Sequence, residues 1–400
     1  MSHVLADLSA ASPVRTVAEA GTYIASVCFK HGPPERVGLE LEWLLTDPRE
    51  PSRQPDIPTL LTALGPHAPR TLNPDSRALP LPGGGLVTVE PGGQVEISSP
   101  PHTSVAALIA AMRADEAQLA RLLEPSGFTL SDRANELRRP PHRILLTPRY
   151  DAMASRFASI GPAGATMMCA SAAAQVCVDL GEPDTAAQRW QVAHLLGPVL
   201  LAAFANSPAD GVVSQRMAAW WELDSIRTLP PTDLRPSDYV NRALHTPILA
   251  RQQSGDWLLE PPATITGLLA MGEQLTTADL DLHLSMLFPP VRPQGYLELR
   301  YLDAQPTGEW PALLALIAGL FAGPLDRIAE ICRPVGERWR PATAIGLADQ
   351  ALATAAGQLA ELVPAALDRL ELTPSDRATI DNLLTRRLVD RISPALEVTS

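Results

Sequence analysis

Lysine is almost missing from this 400-residue chain: Lys30 stands alone, and the other 31 of its 32 basic residues are arginine. The scarcity removes several chemistries. A phosphate-binding loop of the Gly-x-x-x-x-Gly-Lys-Ser/Thr type is absent, and Schiff-base catalysis would have to use Lys30. Cationic contacts to phosphate or carboxylate fall to arginine, whose planar fork suits bidentate grips. The four cysteines (Cys28, Cys169, Cys177, Cys332) show no Cys-x-x-Cys pairing. Cys169 and Cys177, read as one extended segment, are about 26 Å apart and cannot bridge, so free thiols in a reducing compartment are expected. The eight histidines lack metal-ligand spacing, which argues against zinc. Nothing at the N-terminus resembles a signal peptide and no apolar run is long enough to span a bilayer, so a cytoplasmic protein without a membrane partner is expected. A net charge of −12 argues against nucleic acid.

Acid arranged by alternation is what the chain does have. In Val37–Thr46, the two-residue period of a strand sends Leu39, Leu41, Trp43 and Leu45 to one face. Glu40 and Glu42 go to the other, about 7 Å apart. Adjacent acids repel, a cost that a cation between them would remove. Leu86–Ser99 reads as a hairpin turning at Pro91-Gly92-Gly93, with Glu90 at the end of one strand and Glu96 inside the next. Gly295–Asp303 puts Tyr296, Glu298 and Arg300 on one face and Leu297, Leu299 and Tyr301 on the other. One apolar and one acidic face per strand implies an antiparallel sheet backed by helices on one side. Its acidic side suits hard divalent cations and a phosphate-bearing anion.

Around these strands the pattern predicts helices over 14–31, 103–123, 149–160 and 184–205, the last kinked or split at Pro198. Met167–Leu180 reads as turning into a strand, with Ala174, Val176, Val178 and Leu180 on its apolar face and Gln175, Cys177 and Asp179 on the other. Residues 47–85, rich in proline and glycine, read as a long irregular stretch: a lid or substrate wall, or a tolerated insertion. Residues 236–246 and 276–288 read as short helices, and 310–330, 342–362 and 373–392 as an all-α C-terminal region. The expected organisation is an α+β catalytic unit over 1–305 with a helical region, 306–400, packed on it. Taken alone, Arg216 suits a salt bridge, Trp220 a core position, and Gln175 either a polar ligand or a neighbouring strand edge.

In order along the chain, the acidic blocks resemble the glutamate–cysteine ligase family shared by plants and many bacteria. Glu40-Leu-Glu42 is similar to that family's first metal-binding strand, and Val89-Glu-Pro-Gly-Gly-Gln-Val-Glu-Ile-Ser98 to its acidic hairpin. Thr166-Met-Met-Cys with Gln175-Val176 resembles the Met-rich strand leading into Gln-Val. Asn206-Ser-Pro with Ser214-x-Arg216-x-x-x-Trp220 resembles the turn and arginine segment that follow, and Phe288–Arg300 the closing strand. The Ala-, Arg- and Pro-rich, Lys-poor style is similar to actinobacterial members that make γ-glutamylcysteine for ergothioneine. Two departures are Cys177, where plant members carry Asn, and Tyr301-Leu-Asp303, where they carry small residues.

The resemblance implies a glutamine-synthetase-like catalytic sheet. It also implies ATP-dependent ligation of the glutamate γ-carboxylate to cysteine, through γ-glutamyl phosphate. Glu40, Glu42, Glu90, Glu96 and Glu298 are then the expected magnesium ligands, and Arg216 and Arg300 the expected catalytic cations. Gln175, Ser214, Trp220 and Tyr296 are expected to bind substrate. ATP, glutamate and cysteine are the implied small-molecule partners. Rival readings are a ligase using another amine, a carboxylate-bridged two-metal phosphohydrolase, and a non-catalytic nucleotide binder.

Overall fold

The computed structural model describes residues 11–231, 233–252 and 255–397. At its centre is a six-stranded sheet made of β1 (Val37–Trp43), β2 (Leu86–Val89), β3 (Val95–Ser98), β4 (Ala174–Asp179), β5 (Val291–Pro293) and β6 (Tyr296–Leu299). The spatial order is β2-β3-β1-β4-β6-β5, with every neighbouring pair antiparallel. The expected α+β class is what the chain adopts.

Alternation sets the two faces. Leu39, Leu41, Val95, Ile97, Val176, Val178, Leu297 and Leu299 point together into the core, each no more than 3 % exposed. Helix Trp310–Phe321 lies on β4 and helix Ala186–Leu195 on β6, closing that face with apolar side chains. Such burial is the main favourable term in folding. The C-terminal helices join the same continuous core, with Val363–Leu367 and Pro374–Leu388 packed against Trp310–Phe321. Among the described residues no single helix is long and apolar enough to cross a membrane.

Several expected elements shift for local reasons. The first helix spans Val17–Cys28 because Thr16 caps it, while Pro13–Val14 pairs with Leu275–Thr276. The first strand ends at Trp43, and Leu45–Thr46 pairs separately with Thr129–Leu130. Residues 47–85 contain a helix, Ile57–Leu64. Asp56 caps it by accepting from Thr59 N–H at 2.8 Å, and Pro58 lies in its first turn, where a missing N–H costs nothing. Met167 and Met168 belong to helix Ala163–Cys169 rather than to a strand; the strand begins at Ala174, where the alternating valines begin. Pro198 divides the 184–205 segment into helices Ala186–Leu195 and Gly197–Phe204. Gly323-Pro324 likewise ends Trp310–Phe321 before Leu325–Cys332 begins. All four cysteines are free, and because Cys169 ends a helix, the two extended-chain thiols of the sequence reading do not exist as such.

Candidate active site

Register decides which polar residues meet. Glu42 pairs with Glu96, which pairs with Thr88; Glu40 lies between Ser98 and Gln175; Cys177 lies between Gly38 and Glu298, which pairs with Arg292. The five strands β2, β3, β1, β4 and β6 thus contribute to one polar face, joined by Arg292 from β5. The hairpin at Pro91-Gly92-Gly93 is fixed by its glycines. A Cβ on Gly92 would stand 2.4 Å from the Cys169 carbonyl oxygen, and Gly93 turns with φ of +87°. Glu90 opens this turn, with Gly93 N–H donating to its carbonyl at 2.9 Å.

The face is not open to water as an unbacked sheet would be. Glu40 is 5 % exposed, Glu96 3 % and Glu298 0 %. Helices Pro148–Ala158 and Gln215–Glu222 bring Arg149, Tyr150 and Arg216 within electrostatic reach of these acids. Burial of like charges has a marked consequence. Burial first, then Glu96 and Glu298, pushes Glu40 up to about 7. Burial, then Glu96 and Glu90, pushes Glu42 up to about 8, although Arg216 and Arg300 act against it. Glu90 is raised too, by burial and by Glu96.

Glu298 behaves in the opposite way. Burial alone would raise it, but Arg292 and Arg300 prevail and hold it down to about 2. Arg292 grips it with two bonds, Nε to Oε2 at 2.6 Å and Nη2 to Oε1 at 2.9 Å. Arg300 Nη1 donates to Glu298 Oε1 at 2.7 Å and to Gln175 Oε1 at 2.6 Å. Gln175 Nε2 passes the chain on, donating to Glu42 Oε1 at 2.8 Å, while Ala173 N–H donates to Glu42 Oε2 at 2.8 Å. A continuous polar chain therefore runs Arg292–Glu298–Arg300–Gln175–Glu42 across three strands and the edge. Gln175 sits in the middle of the sheet with both ends of its amide engaged by residues of the neighbouring strands, Glu42 on one side and Arg300 on the other.

Behind this chain stands a second network. Arg216 is buried, donates Nη2 to the Arg300 carbonyl at 2.8 Å, and lies 4.8 Å over the Trp220 ring. Its Nη1 is 3.9 Å from Asp303 Oδ1. Asp303 also accepts from Asn206 N–H (2.8 Å), the Ser207 hydroxyl (2.7 Å) and the Ser214 hydroxyl (3.1 Å). Ser214, expected to bind substrate, is fully buried; its hydroxyl also caps helix Gln215–Glu222. Trp220 is buried and donates Nε1 to the Phe288 carbonyl at 3.0 Å. Tyr296 sits half-buried at the start of β6, its hydroxyl raised by burial and by neighbouring Cys177 and Glu298.

Sequence reasoning missed Thr88, whose hydroxyl donates to Glu96 Oε1 at 2.6 Å, and Arg292, Arg149 and Tyr150. Two of these carried a signal. Thr88 alternates with Val87 and Val89 on the polar face, and Arg292 lies six residues before Glu298 across a tight turn at Gly295. The placements of Arg149 and Tyr150 depend on a helix distant in sequence and left no local trace.

The donor set suits a hard cation: oxygen only, buried, and more negative than its arginines offset. Among the described residues, however, no three acids, histidines or cysteines are already gathered at one point to ligate an ion. The fit is one of charge and donor type, with side-chain adjustment still needed to enclose a metal.

The fold matches solved structures of glutamate–cysteine ligases. One is the enzyme of Francisella tularensis in complex with AMP, with a TM-score of 0.57, 12 % identity, and coverage of 93 % of this chain and 85 % of that one. A bifunctional glutathione synthetase from Pasteurella multocida aligns with a TM-score of 0.52 at 13 % identity, over 97 % of this chain and 51 % of that one. In sequence, the glutamate-cysteine ligase family 2 model matches residues 36–381. Glutamate–cysteine ligase EgtA of Mycolicibacterium smegmatis is 35 % identical over 409 residues, covering 97 % of this chain and 93 % of that protein. The chloroplastic glutamate–cysteine ligase of Brassica juncea is 29 % identical over 250 residues, 58 % of this chain and 48 % of that one. The chain belongs to glutamate–cysteine ligase family 2.

Proposed function

We infer that the protein joins the γ-carboxylate of L-glutamate to the amine of L-cysteine at the expense of ATP, giving γ-glutamylcysteine, ADP and phosphate. The observation that carries this reading is the roofed acidic face of a ligase-family sheet, over-negative at Glu40 and Glu42 and arginine-rich at Glu298. The similarity to actinobacterial relatives supports a place ahead of ergothioneine synthesis, and the net charge of −12 favours small-molecule over nucleic-acid partners.

The chemical difficulty is electrostatic. A carboxylate is already a nucleophile at neutral pH, but the γ-phosphate it must meet is also anionic. Magnesium is the metal that suits this donor set, and it would neutralise phosphate charge and align in-line transfer. We assign Glu40, Glu42, Glu90, Glu96 and Glu298 to hold it, not all for one ion. Glu298 can do so only through lone pairs that Arg292 and Arg300 leave free. Arg300 holds Gln175 and Glu298 in place and is positioned to bind substrate oxygens as charge moves. Arg216, its fork engaged by the Arg300 carbonyl and Asp303 and lying over Trp220, supplies positive charge beside Arg300 and Glu42. Gln175, Trp220 and Tyr296 line the substrate pocket, and Ser214 supports it from behind through Asp303. The N-terminal 305 residues form the catalytic unit, and residues 306–400 buttress it.

The test is to incubate the protein with magnesium, ATP and glutamate and to record ADP with and without cysteine. ADP formed only with both amino acids, with γ-glutamylcysteine identified by mass, is the expected result. ADP with a different amine would change the acceptor and keep the ligase. Hydrolysis indifferent to glutamate, or no turnover, would overturn the assignment.

A further inference from the structure

Helix Pro148–Ala158 begins beside the over-negative acids. Thr147 caps it by accepting from Tyr150 N–H at 3.4 Å, which fixes the two residues after Pro148 over the sheet. Glu90, Glu96 and Glu42 all act on the Tyr150 hydroxyl. The neighbouring Arg149 guanidinium lies 5.5 Å from the Tyr150 ring centre, donates Nη2 to the Ser285 carbonyl at 3.1 Å, and acts on Glu90. Its Nε is enclosed, yet meets no protein acceptor.

Arg300 shares this property. Its Nη1 is committed to Gln175 and Glu298, whereas its enclosed Nε meets no protein acceptor, and its charge also acts on Glu90. Buried donors in folded proteins are nearly always satisfied. Two arginines from separate elements, each with an enclosed donor unmet and both acting on one carboxylate, point to an oxygen-rich anion shared between them. Arg216 is different, since its fork is already engaged by the Arg300 carbonyl, Asp303 and Trp220.

From this geometry we propose that Arg149 is a further phosphoryl-binding residue, gripping the γ-phosphoryl group of ATP from the side opposite Arg300. The proposal rests on the ligase reading. In the step it serves, a glutamate γ-carboxylate oxygen forms a bond to the γ-phosphorus. The bond from that phosphorus to the β,γ-bridging oxygen breaks, and its electron pair leaves with ADP. Arg149 neither gains nor loses a proton; it offsets charge on the moving group.

Wild-type protein, Arg149→Gln and Arg149→Lys are titrated with ADP and with a non-hydrolysable ATP analogue, each with magnesium, and their steady-state constants are measured. Removing one charge-stabilising donor predicts a loss in kcat on the order of 100-fold for Arg149→Gln. The preference for the ATP analogue over ADP should narrow about tenfold, while ADP affinity and the KM for glutamate stay within about twofold, as expected if the contact is to the γ-phosphoryl group alone. Arg149→Lys keeps the charge without the fork and should fall between; it also carries the test should the glutamine variant fail to fold. Equal weakening of both nucleotides, unchanged discrimination, or a rise in the glutamate KM alone would each overturn the proposal, the last by moving Arg149 to the amino-acid carboxylate. A wild type that binds the ATP analogue but makes no γ-glutamylcysteine would sink the ligase reading. A working wild type whose Arg149→Gln variant still discriminates would sink only this inference.

Discussion

At one end of the acidic face Glu298 is held near 2 by Arg292 and Arg300, while two strands away Glu40 and Glu42 stand near 7 and 8. All three are glutamates on one face of one sheet, Glu40 and Glu298 buried and Glu42 half-buried. Glu298 meets Arg292 across a tight turn and Arg300 two residues on, so its charge is matched within its own hairpin. Glu42 meets Glu96 across its ladder, so its neighbours add to its charge. Burial pushes all three upward; Glu298 differs because two arginines within bonding distance overcome that push. The matched end is a rigid anchor. The unmatched end is where a cation gains most by binding.

That contrast can be broken at its anchor. Glu298→Gln should abolish turnover and also destabilise the protein by about 3–5 kcal/mol, because it leaves two buried guanidinium groups without their charge partner. Chemical denaturation together with the ligase assay reads both effects. A variant as stable as wild type would show that the arginines find other partners.

At the unmatched end activity and stability should separate. Glu42→Gln should abolish turnover yet cost far less stability at pH 8 than Glu298→Gln, since it removes a charge that burial and Glu96 disfavour and gives up only one of the two bonds Glu42 accepts. Retained activity would take Glu42 out of the site. The pH dependence sharpens the difference. Glu40 and Glu42 bind protons more tightly in the fold than in the unfolded chain, where glutamate titrates at about 4.5, so metal-free stability should fall as pH rises from there through about 8. Glu298 gives the opposite slope: its contribution is present above the unfolded value and is lost as pH falls toward about 2. Melting curves without metal should therefore decline toward pH 8, and Glu42→Gln should flatten that decline. Added magnesium should raise the melting temperature more at pH 8 than at pH 6; an equal rise at both would disconnect these acids from the metal.

The smallest effect is expected at Thr88. Thr88→Val removes the 2.6 Å bond to Glu96 while conserving shape, and should lower kcat/KM about tenfold with little change in fold. No change in rate would make that bond incidental to the site.

Much of the sheet was legible because strand alternation is a local property. Leu39, Leu41 and Trp43 could be separated from Glu40 and Glu42 by counting in twos, and Leu297 and Leu299 from Glu298 in the same way. One proline misled. Pro58 starts a helix inside a stretch read as irregular, because proline breaks a helix only past its first turn. Met167 and Met168 read as strand because strand follows them, yet alanine and methionine wind readily before the valines begin. Arg216 was ambiguous alone, and Asp303 stood out only as a departure from the family pattern. Their pairing needs two segments 87 residues apart to meet.

The sequence by itself determined which face of each strand is acidic, that arginine must supply the cations, and the order of the blocks that mark the family. These are short-range properties, written in residue type and a two-residue period. Only the tertiary structure decided which acids are matched and which are not, because that depends on which strands become neighbours and in what register. It also decided that the acidic face is roofed, since Tyr150 and Arg149 reach it from a helix whose own sequence says nothing of what it covers. Charge in a protein interior acts over distances that only folding brings within range.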